Sequence, residues 1–444
     1  MRDISNIANL SLFLAKGAGR FPSPASLPIK LAAKLFGAFI QNFENSQDSD
    51  SARVWKGFAT YLYAQKLIYQ PVILHDHISP EDPDFFSYRL SLGQLTSQDT
   101  DGHVSLEFAA RGGSFDQKLA LGRVFGEFFE RYFLATYKND SLTKASEKQL
   151  KRERRSYMSL GASETTEFYW IEGRRYGDDD SPCFLPAQSV FWNYCRHQEF
   201  FEPMLQESSS NGGSGRFSKE EALLHGVYEL IERDAFTKCW MNKITPSRIN
   251  HDSCTNQEVK AALDHCKEKN LAPYILNLTS DSGILVYAAV ILDKSGKGPA
   301  CTMGISAGQD PHQTMLKSLD EALTVRLWMR RNFSEKEAPS ESLGNIWKSK
   351  NLRARFWSHL ESLSHLHFFL SGRLSPCPEK NVDGNLSSFV RKINENGAGE
   401  LYYYEAKDPL LKKLGFFVTK AIIPGLQSLP RAPSSKNNIP HPFF

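Results

Sequence analysis

Two stretches of this chain repeat one another 102 residues apart, and both carry charge through the middle of an otherwise apolar helix. In GEFFERYFLATY (126–137), Glu127, Glu130 and Arg131 stand among Phe128, Phe129 and Phe133, with Phe125 just before; in YELIERDAF (228–236), Glu229, Glu232 and Arg233 keep the same order. Upstream, GGSFDQKLALGRVFGE and SGRFSKEEALLHGVYE keep Phe115/Phe217, Ala120/Ala222 and Leu121/Leu223 in register. Ser114 with Gln117, and Ser218 with Glu221, read as helix N-caps. A third start, Asp310 before Pro311 and Gln313, opens TMLKSLDEALTVRLWMRR, which keeps Glu321 and Arg326 but has no E-x-x-E. The chain reads as a threefold repeat of capped helices at low fidelity.

Residues three and four apart on a helix are neighbours, so Glu127, Glu130 and Arg131 share a face. Glu221, His225, Glu229 and Glu232 fall within roughly an 80° arc at 3.6 residues per turn. Stacked carboxylates repel unless something lies between them: arginine, a metal ion or solvent. A solvated face is the bland reading, and the paired occurrence inside such apolar helices argues against it. A carboxylate-bridged di-iron centre needs Glu-x-x-His, which these helices lack. Hard oxygen ligands with guanidinium alongside suit Mg²⁺ bridging nucleotide phosphates. The segment SSSNGGSG (208–215) offers backbone N–H groups for those phosphates, without any G-x-x-x-x-G-K-[ST] loop.

The remaining sequence sets the frame. An apolar content of 41% supports a packed core, and a net charge of +3 with no long basic run gives no nucleic-acid footprint. Seven widely spaced cysteines with no C-x-x-C fit reduced thiols and no metal-type Cys/His set, hence a soluble, cytoplasmic protein. The apolar run near the N-terminus is too short to span a membrane. In residues 27–43, Ile29, Ala32, Ala33, Phe36, Ile40 and Phe43 recur at helical spacing, with Lys30 and Lys34 off the stripe; 44–52 reads as a linker. FLPAQSVFWNY (184–194), PYILNLT (273–279) and ILVYAAVILD (284–293) read as strands, giving an α/β domain with a buried sheet. From Pro424 the tail is too rich in Pro, Ser and Asn for helix or central strand.

With these motifs the sequence resembles the YcaO family of ATP-using enzymes that modify peptide backbones. The carrying residues are GEFFERY (126–132), SSNGGSGRFSKEEALLHGVYELIERDAF (209–236) and GISAGQDPHQTMLKSLDEALTVR (304–326). The resemblance implies a helical N-terminal extension over 1–53, an ATP-binding catalytic domain over 54–430 with repeated helix motifs flanking a buried sheet, and a proline-containing tail over 431–444. It implies that Glu127, Glu130, Glu221, Glu229 and Glu232 hold Mg²⁺, that Ser210 and Arg131 lie at the nucleotide, and that Arg233 and Arg326 approach the ATP phosphates. Two departures stand out: Arg216-Phe217 where Gly-Asn is common, and Thr324 where Gln is frequent. The implied reaction is cyclodehydration. A Cys, Ser or Thr side chain of a ribosomally made precursor peptide attacks the preceding carbonyl, ATP phosphorylates the oxyanion, and phosphate leaves to give a thiazoline or oxazoline. Azoline-forming members have a proline-rich C-terminus that reaches the active site, which assigns Pro442 and Phe444 of IPHPFF to catalysis beside Arg233. Alternatives are thioamide or amidine formation, or a non-catalytic nucleotide-binding scaffold subunit. Implied partners are a separate E1-like leader-binding adaptor, since 1–54 is below domain size, with a flavin-dependent azoline dehydrogenase and a homodimer as further candidates.

Overall fold

The computed structural model describes residues 72–443 except 76–78, 92–94, 97–104, 107–108, 138, 162, 178, 193, 195–201, 206–208 and 334–341. The expected helix at 27–43, its linker and Phe444 lie outside the described residues. Three main sheets carry the fold. One orders β1 (Val72–His75), β2 (Phe86–Ser91) and β3 (Ala109–Ser114). A second runs β4 (Thr143–Ser146), β5 (Glu167–Arg175), β13 (Tyr402–Glu405), β14 (Phe417–Ile422) and β7 (Gly213–Arg216), with β6 (Pro182–Pro186) also paired to β5. The third runs β11 (Cys301–Gly308), β10 (Leu285–Asp293), β9 (Leu271–Asn277), β8 (Ser247–Ile249) and β12 (Leu374–Ser375). Pairing within these sheets is antiparallel except between β8 and β12.

Among the described residues four long helices pack on this frame: α1 (Gln117–Ala135), α2 (Lys219–Met241), α3 (Gln257–Glu268) and α4 (Pro311–Phe333). The expected buried sheet is real, and the alternation of β10 shows how an antiparallel strand is covered on both faces. Val286, Ala288, Val290 and Leu292 join Phe236 and Trp240 of α2 in one core. Tyr287, Ala289 and Ile291 face Val259 and Leu263 of α3 with Met315 and Leu319 of α4 in another. Each such large apolar side chain contributes about 1.5–3 kcal/mol on burial.

Several local expectations are corrected. The cap of α1 is Asp116, whose side chain accepts from Leu119 N, while Ser114 instead donates to Asp320 Oδ2 at 3.3 Å. Ser218 does cap α2, and Asp310 Oδ1 accepts from Gln313 N at the start of α4. FLPAQSVFWNY is strand only through Pro186; Ala187–Val190 turns into a short helix. Not all cysteines stand as thiols, because Cys254 and Cys377 are joined in a disulfide across a sequence separation of 123. The sequence gives no hint of this pair, because the parallel β8–β12 pairing brings their segments together.

Arg326 is also corrected. Its side chain is fully buried, with Nε 2.7 Å from Asp82 Oδ1 and Nη2 2.7 Å from Asp293 Oδ2, so it is not placed to meet a phosphate. Burial works against the Asp293 carboxylate, yet hydrogen bonds from Ser295 and Arg326 hold it below the ordinary aspartate range. Removing one partner of such a network leaves an uncompensated buried charge. Arg326→Ala is therefore expected to cost about 3–5 kcal/mol of stability, read by chemical denaturation; a loss below 1 kcal/mol would contradict this role.

Candidate functional site

Each of α1, α2 and α4 carries a glutamate eleven residues after its capping residue, and each glutamate grips the strand that precedes its helix. Glu127 Oε2 accepts from Arg111 N of β3 at 2.7 Å. Glu229 Oε2 accepts from Gly212 N, just before β7, at 2.8 Å. Glu321 Oε2 accepts from Ile305 N of β11 at 2.7 Å. In the first two units the other carboxylate oxygen takes the arginine one turn on: Arg131 Nη2 lies 2.5 Å from Glu127 Oε1 and Arg233 Nη2 lies 3.1 Å from Glu229 Oε1. The third unit has Val325 there. The threefold repeat is thus a strand–helix unit.

The second glutamate of each motif completes the cluster. Glu232 Oε1 accepts from Ala307 N of β11 at 2.6 Å, which ties α2 to the third sheet. Glu130 lies against β7 so closely that a Cβ on Gly213 would stand 2.5 Å from its Oε1, so a larger residue there would displace the carboxylate. In the third unit Thr324 takes this position and its hydroxyl turns back to Asp320 O at 2.8 Å.

Together these acids form one electrostatic unit. Burial, then the charge of Glu229, pushes Glu130 up to about 8. Burial and Glu321 push Glu232 up to about 8. Burial raises Glu321 to about 7, against the pull of Arg233. Lys420 of β14 sits among them, donating to Ser209 O at 2.6 Å; burial lowers it to about 8, against the attraction of Glu229 and Glu130. Buried acids that stay protonated near neutrality lack positive charge, and the donor set is all carboxylate oxygen. Glu127, Glu130, Glu229, Glu232 and Glu321 are all partly accessible, so a hard divalent cation fits this set. Arg233 Nε is buried without a hydrogen-bond partner, consistent with a site that accepts a further anionic group.

Glu221 does not join the cluster. It is exposed in the first turn of α2, two turns before Glu229, with its backbone N–H on Ser218 Oγ. A helical projection hides this axial offset of about 12 Å. Glu321 takes its place in the set, and the shared spacing from the cap is the signal that identifies it. Lys420 has a fainter signal, a lone lysine in the apolar run GFFVTKAII. The 209–215 stretch turns at Ser210, whose carbonyl accepts from Gly213 N at 2.8 Å, and leads into β7 rather than directly into a helix. Its Gly212 N–H is already taken by Glu229. Arg216, at one of the departures, is half-buried, and desolvation lowers it below the ordinary arginine range against the attraction of Glu130 and Glu221.

The chain's last described residues end at this site. Phe443 is fully buried and its ring lies under the Arg233 guanidinium, 4.4 Å from centroid to Cζ. Three indoles hold the approach: Trp347 Nε1 donates to Asn438 O, Trp240 Nε1 to Ile439 O and Trp357 Nε1 to Pro440 O, at 2.9 to 3.0 Å. Pro442 and His441 are buried too, and desolvation drops His441 to about 3.

Residues 111–427 match the family model described as YcaO cyclodehydratase, ATP- and Mg²⁺-binding. An uncharacterized protein of Methanothermobacter thermautotrophicus is 25% identical over 333 residues, which cover 74% of this chain and 83% of that protein. An uncharacterized protein encoded in the tfuA 3′ region of Rhizobium leguminosarum bv. trifolii is 29% identical over 130 residues, 27% of this chain and 31% of that one. Among solved structures, YcaO from Methanopyrus kandleri bound with AMPPCP and Mg²⁺ superposes with a TM-score of 0.60 at 18% identity, covering 84% of this chain and 91% of that one. A heterocyclase in complex with substrate and cofactor gives 0.63 at 18% identity, but this chain spans only 52% of its length while 84% of this chain is covered. Glutamate-lined strand–helix units, the structural likeness and a family match over most of its length agree: the chain belongs to the YcaO family, an ATP- and Mg²⁺-binding family.

Proposed function

We propose that this chain is a cyclodehydratase that converts Cys, Ser or Thr of a ribosomally made peptide to an azoline, with 54–430 as catalytic domain and 431–444 as a working tail. The observation that carries the reading is Phe443 lodged under Arg233 at the carboxylate cluster. In this reading Glu127, Glu130, Glu229, Glu232 and Glu321 hold Mg²⁺, and Arg131 and Arg233 face the phosphates. Bound Mg-ATP supplies an activated phosphoryl group and charge neutralisation for the amide oxygen. The protein's part is positioning. Glu229 orients Arg233, backbone N–H groups hold Glu127, Glu229, Glu232 and Glu321 in place, and the tail covers Arg233 on its apolar side. The solved E. coli microcin synthetase McbBCD, which superposes with a TM-score of 0.56 at 13% identity over 84% of this chain and 92% of that one, is a complex of several proteins. A peptide substrate and a separate leader-binding adaptor fit that precedent, with a flavin-dependent dehydrogenase acting on the product.

Incubating the protein, its adaptor and a cognate peptide with Mg-ATP should remove one water per ring, seen by mass spectrometry; ATP turnover without mass loss in the peptide would overturn the reading. Glu232→Gln and Glu321→Gln should each raise the Mg²⁺ requirement of ATP turnover at least 10–100-fold, while Glu221→Gln changes it little. Arg233→Lys should fail to restore the rate, because a forked phosphate contact needs guanidinium. Wild-type Mg²⁺ dependence in Glu321→Gln would remove that residue from the ligand set.

The raised acids set a pH dependence. In the unfolded chain these glutamates lose their protons near about 4.3, and in the fold only near 7 to 8. The unfolded state therefore binds fewer protons across that window, and stability without metal falls as pH rises through it. Mg²⁺ favours the ionised acids, so the stabilisation by Mg-AMPPCP should widen over the same window. Thermal unfolding at pH 5.5 and 8.5 measures both trends; a pH-independent gap would contradict the ligand assignment.

The tail makes its own prediction. Deleting Pro442–Phe444 leaves the indole contacts to Asn438, Ile439 and Pro440 intact. Nucleotide affinity should change less than about threefold while ring formation falls at least 100-fold, about 2.7 kcal/mol in barrier. Unaltered dehydration in the truncated protein would refute a working tail.

A further inference from the structure

Away from the carboxylate cluster, four metal-ligating side chains meet at the N-terminal end of α4. They come from three segments: Cys254 after β8, His312 in the first turn of α4, and Cys377 with Glu379 after β12. The β8–β12 pairing brings the first and last together, and Cys377 N donates to Ser253 Oγ at 2.8 Å. Ligand atoms of His312, Cys377 and Glu379 all lie within 4.8 Å of one another, and Cys254 Sγ is bonded to Cys377 Sγ. Both cysteines are buried, and the His312 side chain is 15% exposed. His312 Nε2 is buried without a hydrogen-bond partner, although Glu379 Oε2 stands 3.3 Å away. Glu379 Oε2 also accepts from Thr255 Oγ1 at 2.8 Å, the kind of outer contact that orients a metal-binding carboxylate.

Two sulfurs, one imidazole and one carboxylate make a soft-to-borderline donor set suited to tetrahedral Zn²⁺, unlike the all-oxygen cluster that suits Mg²⁺. Bonds of about 2.0–2.3 Å to one ion place its donors roughly 3.3–3.8 Å apart, inside the observed bound. The cysteine Cα atoms, 5.0 Å apart, need little movement to place both sulfurs on one ion.

We propose that Cys254, Cys377, His312 and Glu379 form a structural zinc site that the Cys254–Cys377 disulfide closes. A dithiol reductant transfers two electrons and two protons to the S–S bond, is itself oxidised to a disulfide, and leaves two thiols; Zn²⁺ then binds both sulfurs as their protons leave. The filled site pins residues 377–384 to the start of α4. That seam already includes Val382 N to Gln309 O at 2.8 Å, Gln309 Nε2 to Gly384 O at 2.8 Å, and Tyr228 OH of α2 to Gln309 Oε1 at 2.8 Å. It therefore joins the helices that carry Glu232 and Glu321.

Cobalt tests the site directly. The full chain, freed of metal and reduced anaerobically by a dithiol, is titrated with Co²⁺. One equivalent should give thiolate-to-cobalt charge-transfer absorption with tetrahedral d–d bands; one equivalent of Zn²⁺ should erase them, and the oxidised protein should show neither. The Mg²⁺-type cluster has no sulfur and gives no such absorption. Cys254→Ser/Cys377→Ser should abolish the charge-transfer band, and His312→Ala and Glu379→Gln should each weaken Co²⁺ binding at least tenfold. Glu379 is 42% exposed, so Glu379→Gln keeps the test open if another variant does not fold. The proposal is overturned if reduced wild-type protein, with two extra thiols counted by titration, gives no charge-transfer band in excess Co²⁺. It is equally overturned if the charge-transfer band survives in Cys254→Ser/Cys377→Ser.

Discussion

A carboxylate that accepts a backbone N–H from the preceding strand is the contact on which this architecture rests. It recurs at Glu127, Glu229 and Glu321, and each time it locks a helix to its own strand at one height. The same contact fixes where the remaining carboxylate oxygen points. Strand–helix packing and site geometry are therefore one constraint, and a shift of either element by one residue would scatter the acids. The cost is charge concentrated in partly buried space, which the fold offsets with Arg131, Arg233 and Lys420.

Much of this was legible in the sequence where one helix sufficed. E-x-x-E-R and its apolar companions set out α1 and α2, Ser218 set out the start of α2, and the β-rich run at 284–293 set out a strand of a buried sheet. Legibility failed where residues from distant segments had to be compared. Glu321 lacks an E-x-x-E partner, because Thr324 stands in the second position, so the motif hides it. Glu221 shares an angular face with Glu229 but not its height, and Arg326 lies on the buried side of its helix opposite two aspartates from elsewhere in the chain. Cys254 and Cys377 are invisible as a pair until β8 and β12 meet.

Positive charge also reaches the acids from outside the repeated motif. Arg216 brings a cation near Glu130 and Glu221, and Thr324 stands in the third unit where the first two have their second glutamate. The five acids that feel one another keep their backbone supports, apart from Glu130, which rests on Gly213.

The indole clasp on the tail has a consequence for how this end of the chain tolerates change. Trp347, Trp240 and Trp357 hold the main-chain carbonyls of three successive residues, and backbone oxygens are the same whatever side chain accompanies them. The segment is thus measured rather than read. A substitution at exposed Asn438 leaves the grip intact, whereas one inserted or deleted residue would carry Phe443 past Arg233 by about 3.3 Å, the rise of one extended residue. The clasp works as a ruler, so the length of this segment is fixed even where a side chain such as that of Asn438 is free to vary.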